Sequence, residues 1–220
     1  MKARTRLILA LDETREERAL SIVESVREYA DAVKINWPLV LSASPSIITR
    51  ISRTADAICD FKVADIPNTN RLIVQQAVAL GASGVIVHGF PGRDSISASV
   101  GAARGAEVYV VTEMSHPGGE EFTAPVAERI AALAVDCGAS GVIAPATRPE
   151  RIKAIRQIVG RLKILSPGVG AQGGDAAEAI SNGADYVIVG RSIYGAESPR
   201  EAARLVCERI EGALARQKRG

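Results

Sequence analysis

The sequence predicts an α/β protein whose single domain is a (β/α)8 TIM barrel. Three observations favour this fold class: short β-rich runs alternate with segments of helical period, eight such runs are found, and they are apolar on successive residues rather than on alternate ones. Parallel strands that pack against helices outside and side chains inside are expected to be apolar on both faces. Eight β-then-α units therefore indicate a closed parallel barrel.

The predicted strands are short and are spread along the whole chain. They are Leu7–Leu11, Ala32–Ile35, Ala57–Phe61, Gly84–Val87, Val108–Thr112, Gly141–Ala144, Lys163–Leu165 and Tyr186–Val189. Between them, apolar residues at helical spacing predict helices over Glu16–Tyr29, Thr69–Leu80, Val126–Cys137, Pro149–Ile158 and Ala176–Asn182. A doubly wound open sheet is the alternative architecture. No G-x-G-x-x-G motif follows the first strand, which disfavours it.

Length, charge and cysteine content limit the classes of protein to which the chain can belong. The chain has 220 residues, 47% of them hydrophobic, which indicates a single domain spanning residues 1–220. The 27 basic and 25 acidic residues leave a net charge of +2, so we expect neither nucleic acid nor a membrane as a partner. Cys59, Cys137 and Cys207 are odd in number and widely spaced, which indicates reduced thiols in a cytoplasmic protein. We expect no export signal and no membrane span.

Ionisable residues lie at the carboxyl ends of the first three predicted strands, where barrel enzymes build their active sites. They are Asp12, Lys34, Asp60 and Lys62, with Asp65 in the loop after the third strand. Asp60 and Lys62 are two residues apart, so a strand would direct both side chains to one face. A lysine held among carboxylates stays protonated in a dry site, which makes Lys62 the candidate general acid. Ordinary surface ion pairs are the alternative for any one of these charges.

A second group of residues follows the last two predicted strands. The stretch from Ser166 to Gly174 is rich in glycine and precedes a helix, and Gly190 and Arg191 follow the eighth strand. Glycines let backbone N–H groups approach a phosphate, a helix N-terminus adds partial positive charge, and an arginine supplies a bidentate fork. A tight turn would explain the glycines alone, but the combination with Arg191 favours a phosphorylated substrate.

The loop after the fifth strand and the two histidines complete the candidate residues. Ser115 is expected to hydrogen-bond over the site. His88 ends the fourth strand, where a solitary histidine is more often a hydrogen-bonded structural residue than a base, and His116 is expected to be exposed in a loop. With only two histidines in the chain, a metal site built on histidine is not expected.

The segment from Asp60 to Asn70, DFKVADIPNTN, resembles the signature of the orotidine 5'-monophosphate decarboxylase family, whose D-x-K-x-x-D-I-P-x-T pattern is highly specific. The resemblance is to the short archaeal-type form and extends over nearly the whole chain, through LALD, VKI, VHGFPG, the Ser115 loop, the glycine-rich stretch and GRS. It implies a barrel enzyme that decarboxylates orotidine 5'-monophosphate to UMP in pyrimidine biosynthesis, with no cofactor and no metal.

The resemblance also implies roles for individual residues. Lys62 would protonate carbon 6 of the pyrimidine as carbon dioxide leaves, and Asp60 would crowd the substrate carboxylate. Lys34 and Asp12 would hold the ribose and orient that pair. A preplaced ammonium stabilises a developing carbanion more than it stabilises the substrate, so no electron-sink cofactor is required. The residues that would contact the base or the phosphate, or line the site, are Ile66, Ser115, Pro167, Val169, Gln172, Gly190 and Arg191.

The resemblance also has a consequence for the oligomeric state, which rests on Asp65 and Thr69. In the family that the chain resembles, these residues reach into the active site of the partner subunit, so the resemblance implies a homodimer with shared sites. Asp65 is thereby placed with Lys62, Asp60 and Lys34 among the catalytic groups. One departure from the family pattern is Trp37, where a smaller or phenolic residue is expected.

Two other functions compete with the nucleotide decarboxylase. A Mg-dependent decarboxylase or aldolase of sugar phosphates shares the barrel and the D-x-K-x-x-D motif, but the segment Ile66–Thr69 and the loops of Ser115 and Gln172 disfavour it. A catalytically silent phosphate-binding barrel would keep the glycine-rich loops but has no need of the Asp and Lys network.

Overall fold

The computed structural model describes residues 3–217, so both ends of the predicted 1–220 domain lie outside the described residues. Eight parallel strands form a closed barrel in sequence order. They are β1 (Leu7–Leu11), β2 (Ala32–Asn36), β3 (Ala57–Val63), β4 (Gly84–His88), β5 (Glu107–Val111), β6 (Gly141–Ile143), β7 (Lys163–Pro167) and β8 (Tyr186–Val189).

The barrel closes where β8 pairs with β1 in parallel, with Val187 opposite Leu7 and Val189 opposite Leu9. This pairing leaves no edge strand and so excludes the open doubly wound sheet. The predicted (β/α)8 barrel is confirmed. Strands β1 and β8 have the predicted bounds, whereas β5 begins and ends one residue earlier than predicted.

Helices connect the strands and cover the outside of the barrel. Within residues 3–217 they are α1 (Glu16–Val26), α2 (Trp37–Ala43), α3 (Ser46–Ser52), α4 (Pro67–Ala79), α5 (Arg93–Ala102), α6 (Gly119–Phe122), α7 (Ala127–Asp136), α8 (Pro149–Val159), α9 (Ala176–Ser181), α10 (Arg191–Tyr194) and α11 (Pro199–Gln217). Each of the five predicted helices is present: α1, α8 and α9 begin at the predicted residue and differ only in where they end, and both ends of α4 and α7 are shifted. None of the helices in this part of the chain has the length and hydropathy that a membrane span needs.

Alternate residues of each strand supply two separate cores, as the apolar runs predict. Leu7, Leu9 and Leu11 of β1 pack outward against the helices, and Ile8 and Ala10 face the barrel interior. The interior also contains Tyr109, the middle residue of β5, and Tyr186, the first residue of β8, both almost completely buried. These large side chains fill the lower and middle parts of the barrel, and space remains at the carboxyl ends of the strands.

Candidate active site

A cavity of about 620 Å³ opens at the carboxyl ends of the strands. Its floor is apolar and is formed by the last inward-facing residues of the interior core: Ala10, Ile86, Val111, Ile143 and Ile188. Its walls are polar and come from the loops that follow the strands. A concave site of this size, with an apolar floor and a few convergent polar groups, is suited to a small-molecule ligand.

Most of the predicted site residues line this cavity. They are Asp12, Lys34, Asp60, Lys62, Ser115, Pro167, Val169, Gln172, Gly190 and Arg191. The remaining three, Asp65, Ile66 and Thr69, do not line the cavity of their own chain. Asp65 and Ile66 are exposed in the loop between β3 and α4, and Thr69 is partly buried in the first turn of α4.

Asp60 is the centre of a charged network at the end of β3. Its carboxylate accepts a hydrogen bond from the Lys62 ammonium, with Nζ at 2.9 Å from each oxygen. The Lys34 ammonium lies on the other side, 2.7 Å from Asp60 Oδ2. The side chains of Lys34 and Asp60 are only 8% and 6% exposed, so this pair is not an ordinary surface ion pair. Lys62 is 34% exposed and faces the cavity.

Two opposing effects set the charge of Asp60. Burial favours the neutral acid, but the ammonium groups of Lys34 and Lys62 outweigh it and hold the pKa of Asp60 below its ordinary value. Asp60 is therefore ionised at neutral pH. The network carries one negative and two positive charges, and its excess positive charge lies beside the cavity.

Regular strand alternation predicts that the side chains of Asp60 and Lys62 lie together, and they do. The backbone that brings them together is, however, irregular. Between Cys59 and Val63, three residues of β3 stand opposite a single residue of β4. Lys62 has a φ of +45°, a conformation that residues other than glycine rarely adopt. A bulge, not the regular pleat, thus directs the lysine toward Asp60.

His88 lies close enough to this network for the charges of Lys62 and Asp60 to act on its ring. Burial lowers its pKa to about 4, and the nearby charge of Lys62 adds to that effect against the opposing charge of Asp60. Its Nδ1 is buried and has no hydrogen-bond partner within residues 3–217. The ring lies 5.0 Å from that of Phe90, tilted by 48°. A neutral imidazole in this position is not a cationic ligand for phosphate.

Two polar side chains, one from α4 and one from α5, form hydrogen bonds with the backbone of the loop that contains Asp65. The side chain of Asn70 in α4 accepts a hydrogen bond from the Asp65 backbone N–H at 2.9 Å. The hydroxyl of Ser95 in α5 donates to the Asp65 carbonyl at 2.8 Å. Asn70 and Ser95 are buried, so the backbone of this loop is fixed while the Asp65 side chain stays exposed.

The glycine-rich stretch after β7 folds back on itself. Gly170 N–H donates to the Gly174 carbonyl at 2.9 Å, and Gly174 N–H donates to the Gly168 carbonyl at 3.0 Å. Gly170 has a φ of +74°, and a Cβ there would clash with Ser192 Oγ, so a larger residue would disrupt the contact with the loop after β8. The two predicted phosphate-binding segments therefore lie side by side.

Two loops meet over the cavity. Ser115 Oγ donates to Gln172 Oε1 at 2.9 Å and joins the loop after β5 to the glycine-rich stretch. The Arg191 side chain is exposed at the cavity and makes no ion pair with the described residues. Asp12 Oδ1 is buried without a hydrogen-bond partner in the described part of the chain. Both groups are thus available to a ligand.

Sequence reasoning missed a buried ion cluster beneath the Ser115 loop. Glu113 is fully buried, and its two oxygens accept from Arg148 Nε at 2.6 Å and Arg151 Nε at 2.8 Å. Arg148 also donates to the Met114 carbonyl. These contacts tie the loop of Ser115 to the start of α8. No local pattern marks them, because the partners are more than 30 residues apart in sequence.

The side chains around the cavity offer little to a metal ion. Among residues 3–217, no three His, Cys, Asp or Glu side chains are grouped so that they could bind one. The one buried carboxylate of the network already contacts two ammonium groups.

Comparison with known proteins agrees with this geometry. Residues 5–206 match the profile of the family described as orotidine 5'-phosphate decarboxylase / HUMPS. The orotidine 5'-phosphate decarboxylase of Methanococcoides burtonii is 58% identical over 213 residues, which cover 96% of this chain and 99% of the relative.

Solved structures give the same result. The orotidine 5'-monophosphate decarboxylase of Methanocaldococcus jannaschii, complexed with the inhibitor BMP, superimposes with a TM-score of 0.89 at 44% identity, covering 93% of this chain and 97% of that one. The orotidine 5'-phosphate decarboxylase of Pyrococcus horikoshii has a TM-score of 0.87 at 48% identity, with coverage of 94% and 99%.

Proposed function

Because the chain belongs to the orotidine 5'-phosphate decarboxylase family, we propose that its Lys34–Asp60–Lys62 network decarboxylates orotidine 5'-monophosphate, with Lys62 as the proton donor. The activity itself, that of a carboxy-lyase of pyrimidine biosynthesis, follows from the likeness to named relatives over nearly the whole chain. The observation that supports the residue assignment is the pair of ammonium groups on one buried carboxylate at the edge of the cavity.

The phosphate of the substrate binds between the loops after β7 and β8. Arg191 supplies the charge, and the N–H groups of Gly190 and of the glycine-rich stretch after Pro167 supply further donors. Two observations support this assignment: Arg191 makes no ion pair within residues 3–217, and the two loops are in contact at Gly170. Gln172 lies between the phosphate and the base and contacts both.

The pyrimidine and the ribose occupy the space between this phosphate site and the network. Ser115 contacts the base together with Gln172, to which it is already hydrogen-bonded, and Val169 packs on one wall. The ribose hydroxyls bind to Asp12, whose Oδ1 has no partner in the described residues, and to Lys34. The carboxylate on carbon 6 then points toward Asp60 and Lys62.

The chemistry follows from the charges. Ionised Asp60 lies beside the substrate carboxylate and repels it, which raises the energy of the bound substrate. When the bond between carbon 6 and the carboxylate breaks, the electron pair stays on carbon 6 and carbon dioxide leaves uncharged. The Lys62 ammonium stabilises this carbanion and donates a proton to it, and the resulting neutral amine regains its proton from water. Electrostatics thus replaces an electron-sink cofactor.

The active site is shared between the two subunits of a homodimer, with Asp65 and Thr69 donated to the partner's site. Neither residue lines the cavity of its own chain, although both lie in the segment that follows β3. Exposed apolar side chains lie on the same side of the barrel, after β2, β3 and β4: Trp37, Ile66, Leu72 and Phe90. Exposed apolar patches of this kind mark protein interfaces. Ile66 then lines the partner's site beside Asp65.

We place the protein in the cytoplasm, in agreement with its three free cysteines, of which Cys59 and Cys207 are buried. The reaction needs no metal ion, because Mg²⁺ prefers a shell of oxygen ligands and the oxygens of Asp60 already face Lys34 and Lys62. This property separates the proposal from a Mg-dependent sugar-phosphate enzyme.

The test is a spectrophotometric assay of orotidine 5'-monophosphate with and without excess chelator. We expect the same turnover in both, with UMP as the product. Activity that is lost in chelator and restored by Mg²⁺ would contradict the metal-free reaction. Phosphate-ligand binding without any turnover would instead indicate a silent binding barrel.

A further inference from the structure

The peptide that joins Phe61 to Lys62 is the irregular point of β3. Its ladder with β2 ends at Asn36 opposite Asp60, and its register with β4 resumes only at Val63. Lys62 follows with a φ of +45°. Residues in such rare conformations persist only where the surrounding contacts fix them. The orientation of this peptide also determines where the Lys62 side chain points.

Trp37 contacts that peptide directly. Its indole Nε1 donates a hydrogen bond to the Phe61 carbonyl at 3.2 Å, and its ring stacks on the Phe61 ring with centroids 4.3 Å apart and planes inclined by 22°. Trp37 is itself fixed at the start of α2, where its backbone N–H donates to the Asn36 side chain at 2.7 Å. The indole therefore supplies a donor to β3 just where β2 has left the ladder.

We propose that Trp37 is a positioning residue for the decarboxylation, acting through the Phe61–Lys62 peptide to keep the Lys62 ammonium on Asp60. This inference rests on the proposed role of Lys62. Trp37 does not line the cavity, so it has no direct contact with a ligand there. It is 42% exposed, so its indole is not a component of the buried core.

The expected effect is on the chemical step and not on binding. The Phe61 carbonyl belongs to the same peptide plane as the Lys62 N–H, so a hydrogen bond to it restrains the Lys62 φ angle. Without that restraint, the ammonium is held less closely at 2.9 Å from the Asp60 oxygens. A proton donor displaced from its productive position slows the reaction, while the phosphate and base contacts on the other side of the cavity remain.

The experiment compares Trp37→Phe, which keeps the stacking but loses the donor, with Trp37→Ala, which loses both. Leu205→Ala is the control, since Leu205 is an exposed apolar residue on α11, away from the cavity. For each protein we measure the single-turnover rate with orotidine 5'-monophosphate, the affinity and stoichiometry of UMP binding, the Tm and the oligomeric state.

We expect Trp37→Phe to slow the single turnover by about threefold to tenfold and Trp37→Ala by about tenfold to hundredfold. UMP affinity should stay within about twofold of wild type in both, and the control should behave as wild type.

Provided that the wild-type protein decarboxylates normally, three results would overturn the inference. The first is an unchanged single-turnover rate in both variants, and the second is weaker UMP binding at an unchanged rate. The third is a loss of rate that is fully explained by a smaller number of UMP-binding sites or by dissociation of the dimer. Wild-type protein without decarboxylase activity would instead refute the proposed function.

Discussion

Mixing two inactive variants tests whether the active site is shared between subunits. Lys62→Ala removes the proton donor from a chain's own cavity, whereas Asp65→Ala removes a side chain that does not line that cavity. Each variant alone should be nearly inactive. If Asp65 is donated across a two-fold interface, one active site of a mixed dimer contains both substitutions and the other contains neither.

The expected recovery follows from this arrangement. Random mixing of equal amounts makes half of the dimers mixed, and each has one good site of two, so activity should approach about one quarter of wild type. The assay is orotidine 5'-monophosphate turnover after the two proteins are refolded together. A matched mixture of Lys62→Ala and Asp60→Ala should recover nothing, because both residues belong to the same cavity. Absence of recovery in the first mixture, with subunit exchange verified, would refute donation of Asp65 to the partner.

Two further predictions concern the phosphate site and the pH dependence of stability. Arg191→Ala should lower kcat/KM by about tenfold to hundredfold, since a charge-assisted contact to phosphate is lost, and the phosphate-free nucleoside should be a very poor substrate; equal kcat/KM for nucleoside and nucleotide in steady-state assays would contradict this. His88, whose pKa is about 4, binds a proton near pH 6.5 only in the unfolded chain, so the free energy of unfolding should fall as pH drops from about 6.5 toward 4. His88→Asn should flatten that dependence in urea titrations, and an unchanged slope would show that other groups cause it.

Much of the fold was predictable because the barrel strands are continuous apolar runs. Two of the helices that the sequence did not indicate, α5 and α11, have a physical reason in common. The buried positions of α5 are mostly small and partly polar, Ser95, Ser99 and Ala102 beside Ile96, and those of α11 include Ala203 and Ala213. Small side chains let a helix pack closely on the barrel but give little hydrophobic periodicity.

The residues of the site were also predictable only in part. Residues at strand ends, such as Asp60 and Arg191, were predictable because parallel strands bring their carboxyl ends together. The contacts of Trp37 with Phe61 and the buried Glu113 cluster were not, since they depend on a strand bulge and on pairs distant in sequence. The alternation of a regular strand predicted that Asp60 and Lys62 meet, but the positive φ of Lys62 carries no sequence signal.

The most direct measurement for the central claim is single-turnover decarboxylation by Lys62→Ala together with its affinity for UMP. The ammonium lies 2.9 Å from the Asp60 oxygens at the edge of the cavity, away from the phosphate loops. Lys153→Ala is the control, because Lys153 is exposed on α8. We predict that Lys62→Ala slows decarboxylation by at least about 10²- to 10⁴-fold, while UMP affinity changes by less than about tenfold. Near-normal turnover, or a loss of UMP binding as large as the loss of rate, would contradict Lys62 as the proton donor.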